Sequence, residues 1–387
     1  MRFAHLADSH LGYKQLGLDT REQDVYDVFE KTIDKIIELD VDFVIHSGDL
    51  FDQSRPSTNA LLVFQKGLLR LNESGIPIYA IAGNHDSVLR KNVKPPIALF
   101  EELGLNIIRI GEAFELSNIM ICGIQYVPKS QKSALDEIFE EFSELAEEYE
   151  KSILVLHQGI DKVLPENAYE LKLDEIPDNF NYYALGHIHD FHEIDYGKGK
   201  LVYPGSMEIH NITDTNKQLD KGFCVVDLTG EKPNVERIIV ELPRNLINKT
   251  INYENLDEEL EDLKNSLQRE GNKPMLDLRV EGGEFNSADI YEHIQETLKE
   301  EVLNIRYDFR PDDIKHKEIN IKPGETLDSR ELLMKKIQEK YNDEKKTALS
   351  VDLLNLLSAK KIEDAQFLSK KFYKENYSTN KNSKVEE

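Results

Sequence analysis

The chain of 387 residues has no tryptophan, only two cysteines and no excess of basic residues. Cys122 and Cys224 each stand alone in an apolar context, which argues against a disulfide framework and a thiolate metal site and is typical of a reducing compartment. No apolar run reaches the roughly 18 residues of a membrane span, and the N-terminus does not resemble a signal peptide. We therefore expect a cytoplasmic protein without a membrane segment, in which both cysteines are buried packing residues.

The net charge of -25 at first argues against binding to nucleic acid, because proteins that bind phosphates usually present basic surfaces. The acidic excess lies before residue 315, whereas the following tail is rich in lysine and nearly neutral. Bound divalent cations would offset only a small part of this charge. Any affinity for DNA must therefore come from local patches or from a partner subunit.

Short apolar runs alternate with amphipathic segments over the first 240 or so residues, which predicts an α/β protein with mixed sheets. The predicted strands span residues 2–7, 41–46, 76–82, 107–110, 119–124, 152–156, 182–185, 200–203 and 223–227. Helical spacing of apolar residues occurs at 20–39, 61–71 and 133–150. After Pro243, helices at 256–267 and 288–298 alternate with strands at 275–280 and 302–309, which predicts a small α+β module.

These changes of pattern predict five segments. Residues 1–243 form the large domain, 244–314 the α+β module, 315–344 a linker with a helix, 345–376 a helical segment and 377–387 a disordered tail. The predicted helices of the C-terminal region lie near 327–341, 347–358 and 361–375.

Residues with metal-binding side chains follow several predicted strands within one to four positions. They are Asp8, His10, Asp49, Asn84, His85, His157, His187 and His189. Because the carboxyl ends of strands form the ligand crevice of an open α/β sheet, we expect these side chains to converge. Carboxylate, imidazole and amide oxygen together suit manganese, iron or zinc better than calcium.

The local spacing adds to this argument. Asp8 and His10, like His187 and His189, are two residues apart, so both side chains of a pair point to the same side of an extended segment. Glycines 48, 83 and 186 precede ligand candidates and permit tight turns. One histidine after a strand is more often a surface residue than a ligand, but five such fragments in order favour a metal site.

The other histidines have simpler interpretations. His5 and His46 lie within predicted strands, so we expect them in the core or behind the ligands. His192 and His210 are expected in loops, where a plain surface position is favoured over contact with DNA.

These fragments resemble a known signature. Asp8-Ser9-His10, Gly48-Asp49, Gly83-Asn84-His85-Asp86, His157 and Gly186-His187-Ile188-His189 look like the five motifs of the calcineurin-like metallophosphoesterase superfamily. Within it, the stretches HLADSHLGYKQ, SGDLFDQSRPS, ALGHIHD and YPGSME closely resemble the SbcD/Mre-eleven DNA double-strand-break repair nucleases, especially archaeal ones. The specific motifs cover about the first 240 residues.

The resemblance implies a metallophosphoesterase β-sandwich flanked by helices, a small α+β capping domain that helps to bind DNA, and a helical C-terminal tail. It also implies two manganese ions per subunit, for which magnesium, iron or zinc could substitute. One ion would be bound by Asp8, His10, Asp49 and His189. The other would be bound by Asp49, Asn84, His157 and His187, with Asp49 as the bridge. His85 would be catalytic rather than a ligand.

The resemblance further implies a manganese-dependent nuclease, both a double-strand 3'-5' exonuclease and a single-strand endonuclease, that acts on ends and hairpins at the nucleoid. Its partners would be DNA, an SbcC/Rad-fifty type SMC-like ATPase and a second copy of the chain. One departure concerns Asp52, because relatives carry histidine there (GDLFH) and aspartate is a poor proton donor. Two alternatives remain open, namely a metallophosphoesterase for nucleotides or phosphoproteins and a non-catalytic DNA-end-binding scaffold.

Two apolar patterns point to interfaces. The apolar residues between Leu61 and Leu71 cover about half of a helix or more, wider than the stripe of about 100° that a core needs, so this helix is either deeply buried or part of a homodimer. The tail repeats leucines beside lysines in segments too small to bury their own faces, which favours docking to a partner through Leu353 and Phe372. The resemblance implies that this partner is the ATPase.

Overall fold

The computed structural model describes residues 1–87, 94–211, 221–312, 337–338, 343–358 and 361–377. The chain forms two compact units, Met1–Asp312 and Asp313–Glu387. The helix predicted at 327–341 falls almost entirely outside the described residues, as does most of the predicted disordered tail.

Two mixed sheets of six strands form the centre of the first unit. The first sheet has the order β12-β11-β1-β2-β3-β4 and the second the order β5-β6-β7-β8-β10-β9. The strands are β1 (Arg2–Leu6), β2 (Phe43–Ser47), β3 (Ile78–Ile81), β4 (Leu105–Ile107), β5 (Ala113–Leu116), β6 (Ile119–Ile124), β7 (Lys151–His157), β8 (Tyr182–Gly186), β9 (His192–Tyr196), β10 (Gly199–Tyr203), β11 (Gly222–Asp227) and β12 (Asn234–Ile239).

The sheets pack face to face because their strands carry apolar side chains on both faces. Successive residues of a strand point alternately toward the other sheet and away from it. Phe43 and Ile45 of β2 point toward the second sheet, while Val44 points away from it. Ile153 and Val155 of β7 meet them in a shared core. Strands that are buried on both faces read as nearly continuous apolar runs, which explains why the sequence predicted them well.

Helices cover the outer faces of this sandwich. α1 (Asp19–Glu38) and α2 (Thr58–Glu73) pack on the first sheet, and α3 (Leu135–Ala146) packs on the second. The predicted α/β sandwich of mixed sheets flanked by helices is therefore confirmed. Cys122 and Cys224 are both buried, as predicted.

A third sheet follows in the region of the predicted capping module. Its parallel strands are β13 (Leu246–Asn252), β14 (Met275–Glu281) and β15 (Asn304–Arg310) in that order. α4 (Leu256–Leu267) and α5 (Ser287–Leu298) cover it, and their leucines and isoleucines form a separate core. No helix in the described part of the chain is both long and apolar enough to cross a membrane.

Two helices are described in the second unit, α6 (Glu344–Ser358) and α7 (Ile362–Tyr377). They pack against each other, and Val351 and Ala365 are buried. Several large apolar side chains stay exposed, among them Leu357, Ile362 and Phe367.

Candidate metal centre

The predicted ligands meet where parallel strands of both sheets end side by side. β1 and β2 run in parallel with Leu6 opposite His46, and β7 and β8 run in parallel with His157 opposite Gly186. The loops beyond β1 and β2 continue this pairing, because the amide of His10 donates a hydrogen bond to the carbonyl of Asp49 at 3.0 Å. One site is thus assembled at the carboxyl ends of strands from two sheets.

Four of the predicted ligands have left-handed backbone conformations. Their φ angles are 52° at Asp8, 43° at His10, 53° at Asp49 and 88° at His187. A non-glycine residue seldom adopts positive φ, because its Cβ atom crowds the backbone. Such strained residues cluster at functional sites, where surrounding structure holds them in place.

Two glycines allow the close approach of the loops. A Cβ atom on Gly83 would overlap the carboxylate of Asp49, and one on Gly48 would overlap the ring of His157. Gly48 also has a φ of 92°, which disfavours any other residue. These glycines are therefore needed so that ligands from different strands can come into contact.

The first group of side chains surrounds His10. Its Nε2 atom lies 3.1 Å from Nε2 of His189 and 3.7 Å from Oδ2 of Asp49. Ligand atoms of Asp8, His10 and Asp49 all lie within 4.8 Å of one another.

The second group surrounds Asn84 and shares Asp49 with the first. The Nε2 atom of His157 lies 3.3 Å from Oδ2 of Asp49 and 3.0 Å from Oδ1 of Asn84. Oδ1 of Asn84 also lies 2.8 Å from Nδ1 of His187. Oδ2 of Asp49 therefore faces an imidazole of each group, the position that a bridging carboxylate requires.

These distances suit metal binding. Two ligands at right angles, each about 2.1 Å from a metal, are about 3 Å apart. The nitrogen and oxygen pairs of both groups have nearly this spacing. The mixture of imidazole, carboxylate and amide donors fits borderline divalent metals.

Hydrogen bonds from surrounding residues orient the ligands. Nδ1 of His157 lies 2.7 Å from the carbonyl of Ser47, so donation there leaves Nε2 free to face Asp49 and Asn84. The amide of His187 donates to the carboxylate of Asp8 at 3.1 Å. Asp86, which is completely buried, accepts hydrogen bonds from the amides of Gly83 and Leu50 and so joins the second and third ligand loops.

The charges of the two groups act on each other. Burial lowers the pKa of His157, but the charge of Asp49 and the hydrogen bond that His157 donates to it raise that pKa to about 9 overall. Burial raises the pKa of Asp8 to about 6, although nearby histidines oppose this shift. Burial and the charge of His157 lower the pKa of His187 to about 4, and burial and the charge of His10 lower that of His189 to about 2. Metal binding must therefore displace a proton from His157.

His85 lies beside the ligands and has a different environment. Its main-chain amide donates a hydrogen bond to Oδ1 of Asp49 at 2.8 Å, whereas its side chain is 44 % exposed. Nδ1 of the ring lies 3.0 Å from the carbonyl of Asp52, which leaves Nε2 unconstrained by that contact. The His85 ring packs on His10 with centroids 4.7 Å apart. This placement leaves the imidazole accessible to a substrate.

Asp52, the departure from the family motif, occupies the space between two histidines. Its Oδ1 atom lies 3.6 Å from Nδ1 of His10 and 3.9 Å from Nδ1 of His85. Asp52 thus contributes an additional negative charge near the predicted site. Ligand atoms of His10, Asp52 and His85 also lie within 4.8 Å of one another.

The structure also tests the remaining histidines. His5 and His46 are buried, as predicted: His5 contacts Tyr182 and Ser47, and His46 contacts Ser9. His192 begins β9 instead of lying in a loop. His210 lies in a loop, as predicted, but the predicted surface position was wrong, because its ring is packed against His10 and His189. The sequence gave no local signal for this contact, because His210 lies seven residues beyond the end of β10 at Tyr203.

The fold and this site define the class of protein. The family of calcineurin-like phosphoesterases matches residues 1–191, a range that includes every predicted ligand and His85. The membership implies that the site binds a divalent metal.

More specific relatives are archaeal proteins named DNA double-strand break repair protein Mre11. The one from Methanococcus maripaludis is 37% identical over 79% of this chain and 82% of its own length. The one from Sulfurisphaera tokodaii is 36% identical over 76% of both chains, and the one from Sulfolobus acidocaldarius is 32% identical over 96% of this chain and 98% of its own. The chain belongs to the Mre11 family and is a hydrolase of phosphodiester bonds.

Proposed function

We propose that this protein is a two-metal DNA nuclease of double-strand break repair. The two ions would be bound by the two groups around His10 and Asn84, with Asp49 shared between them. The observation that carries this proposal is the position of the Asp49 carboxylate, whose Oδ2 atom faces His10 at 3.7 Å and His157 at 3.3 Å.

Two divalent ions held together supply Lewis acidity toward phosphate oxygens and lower the pKa of water. The residues of the chain set the conditions for this chemistry. Asp8, His10 and His189 would bind the first ion, and Asn84, His157 and His187 the second. The His157 hydrogen bond to Ser47 fixes which ring nitrogen faces the site. The half-exposed ring of His85 gives a substrate access to the site from that side.

His85 is the proposed proton donor to the leaving oxygen. Imidazole can carry and release a proton near neutral pH. The half-exposed ring lies beside the ligands, and its Nδ1 contact with the carbonyl of Asp52 would hold the ring in a defined orientation. An aspartate at position 52 cannot replace the second imidazole of relatives as a donor, so His85 would serve alone.

The capping module, residues 244–314, is the proposed second DNA-binding element. It is anchored by a buried ion pair in which Arg244 donates to Asp24 of α1 at 2.8 Å. Asp24 also accepts from Arg21, whose guanidinium lies 3.2 Å from Glu208 in the loop after β10. This network joins the module to the loop that carries His210. A substrate bound to the module would therefore keep a fixed position relative to the metal centre.

Manganese is the proposed native metal. The ligands combine hard carboxylate and amide oxygens with several imidazoles, and this mixture suits manganese, with iron, zinc or magnesium as alternatives. We propose both double-strand 3'-5' exonuclease and single-strand endonuclease activity, as the resemblance implies.

A homodimer through α2 is supported by its exposed face. Ala60, Phe64, Leu68 and Leu71 are buried against the first sheet. Leu62 and Leu69, seven residues apart and thus on one side of the helix, are 55 % and 41 % exposed. Burying this side in a second copy would remove the exposed apolar surface from water.

The two helices of the tail are the proposed docking site for an SMC-like ATPase. Leu353 and Ala365 lie in the groove between α6 and α7, while Phe367 is 70 % exposed. Phe372, the other residue chosen from the sequence, is only partly exposed. Exposed apolar residues on a small pair of helices favour binding to a partner helix or coiled coil.

The proposal is tested by incubating the full chain with Mn²⁺ and end-labelled substrates. Linear duplex and hairpin DNA would be compared with a mononucleotide phosphodiester and a phosphopeptide. We expect DNA cleavage that stops when EDTA removes the metal and resumes on addition of Mn²⁺. Hydrolysis of the small substrates alone would contradict a nuclease, and DNA binding without hydrolysis would indicate a scaffold.

A further inference from the structure

His210 lies against a predicted ligand but belongs to none of the proposed ligand sets. Its Nδ1 atom is 3.2 Å from Nδ1 of His189, and the two ring centroids are 4.7 Å apart. The His210 ring is also 4.7 Å from the ring of His10. Nε2 of His210 is buried and has no hydrogen-bond partner within the described ranges.

The two nitrogens of His189 face different neighbours. Nε2 faces Nε2 of His10 at 3.1 Å, on the side of the other ligands, and Nδ1 faces His210. A neutral imidazole that binds a metal through Nε2 carries its proton on Nδ1. That proton requires an acceptor, and in metal sites such acceptors fix the orientation of the ligand ring.

We propose that His210 is a positioning residue for the metal ligand His189, an inference that rests on the proposed two-metal function. Nδ1 of His210 accepts the hydrogen bond from Nδ1–H of His189. The lone pair of His189 Nε2 is thereby directed toward His10 and Asp49. The His210 tautomer required for this role carries its proton on Nε2.

The surroundings of His210 hold it in place. Its carbonyl accepts hydrogen bonds from Tyr13 Oη at 2.9 Å and from Gln15 Nε2 at 3.0 Å. Gln15 is itself buried and accepts a hydrogen bond from Arg21 at 2.8 Å. On the other side, Lys221 donates to the carbonyl of His189 at 2.7 Å. The main chains of both histidines are thus fixed, which a precise contact between their rings requires.

The competing interpretation is that His210 is itself a ligand. One nitrogen each of His10, His189 and His210 can be chosen so that all lie within 4.8 Å of one another. The contact that His210 makes, however, is with Nδ1 of His189, whereas Nε2 of His189 faces His10. A positioning role uses this arrangement without any movement of the rings.

Two substitutions of His210 separate these interpretations. His210→Leu removes the acceptor, whereas His210→Asn offers an amide oxygen near the place of the imidazole Nδ1. Mn²⁺ binding to the full chain would be followed by calorimetry and by electron paramagnetic resonance of the free ion. His293→Leu, in α5 of the capping module, is the matched control.

We expect His210→Leu to weaken one of the two Mn²⁺ sites about 10- to 100-fold, the usual effect of losing such an outer contact, and to leave the other nearly unchanged. His210→Asn should restore the affinity to within about threefold of the unsubstituted chain. Thermal unfolding in EDTA checks that the metal-free variants are folded.

Three outcomes would overturn the inference. Wild-type affinity in both variants would mean that the contact has no role. If both variants lose Mn²⁺ affinity equally, and X-ray absorption shows one fewer imidazole per metal pair, His210 is a ligand. An unsubstituted chain that binds fewer than two Mn²⁺ ions would refute both this inference and the two-metal proposal. If it binds two ions but does not cleave DNA, the nuclease proposal fails, and the titrations alone decide the role of His210.

Discussion

Nε2 of His157, at the end of a strand in the second sheet, lies 3.3 Å from the carboxylate of Asp49, which follows a strand in the first sheet. The two residues are 108 positions apart in the sequence. Their contact places the shared carboxylate between the two groups of ligands. Metal binding and its pH dependence should therefore both depend on this pair.

Replacement of Asp49 by alanine should abolish binding of both ions, because its carboxylate faces a histidine of each group. Metal content of the purified protein, measured by mass spectrometry after dialysis against Mn²⁺, provides the test. Asp195→Ala, an exposed substitution in β9, should retain the full metal content. Two fully occupied sites in the Asp49 variant would mean that this carboxylate does not bridge.

The affinity for Mn²⁺ should rise with pH by about tenfold per unit between pH 6.5 and 8.5. The pKa of His157 is about 9 without metal, so below that pH the ion must displace its proton. Below about pH 6, protonation of Asp8 should make the dependence steeper. Calorimetry in buffers of different ionisation enthalpy counts the released protons. Binding without proton release across this range would contradict the assignment of His157.

His85→Asn should reduce DNA cleavage by about 10²- to 10⁴-fold, the range attributed to a lost general acid, and leave Mn²⁺ affinity nearly intact. The reason is that the main-chain amide, which donates to Asp49, remains in the variant. Single-turnover cleavage and a Mn²⁺ titration of the same preparation measure both effects. Loss of either metal ion would show that the His85 side chain supports the ligands instead of the chemistry.

Phe367→Asp in the tail should abolish co-purification with the ATPase subunit and ATP-stimulated processing, because docking would desolvate the new charge. Deletion of residues 345–387 should have the same effect. Both variants should cleave short single strands at a rate within about twofold of that of the unsubstituted chain. Asn355→Asp, an exposed polar position on α6, is the matched control. Unchanged ATPase affinity in the deletion variant would exclude the tail as the docking site.

Much of the site was predictable because its residues follow strands with strong apolar patterns. Asp8, Asp49 and Asn84 come directly after runs that are buried on both faces, and glycines mark the turns before two of them. The family motifs then supplied the grouping of the ligands.

Other features gave weaker local signals. β9, with the sequence His-Glu-Ile-Asp-Tyr, lies at a sheet edge and has a largely polar composition, so it was not predicted. β5, β12 and β13 were missed for the same reason, because partly exposed edge strands need few apolar residues. The strand predicted at 107–110 was misplaced, because β4 spans Leu105–Ile107 and shares only Ile107 with it.

The contact of His210 could not be read from periodicity, because it depends on how a loop returns to the site. The position of Asp52 between His10 and His85 was likewise a matter of tertiary structure. In both cases the side chains meet through loops whose course no local pattern determines.

The distribution of ligands over residues 8 to 189 also affects how the protein matures. During synthesis the first sheet's N-terminal strands leave the ribosome long before β7 and β8, so the early chain offers Asp8, His10 and Asp49 without most of their imidazole partners. Neither site is complete until the two sheets have packed together, a step that involves contacts between distant residues. Metal loading should therefore come late in folding, and bound ions should mainly slow unfolding by holding the two sheets together.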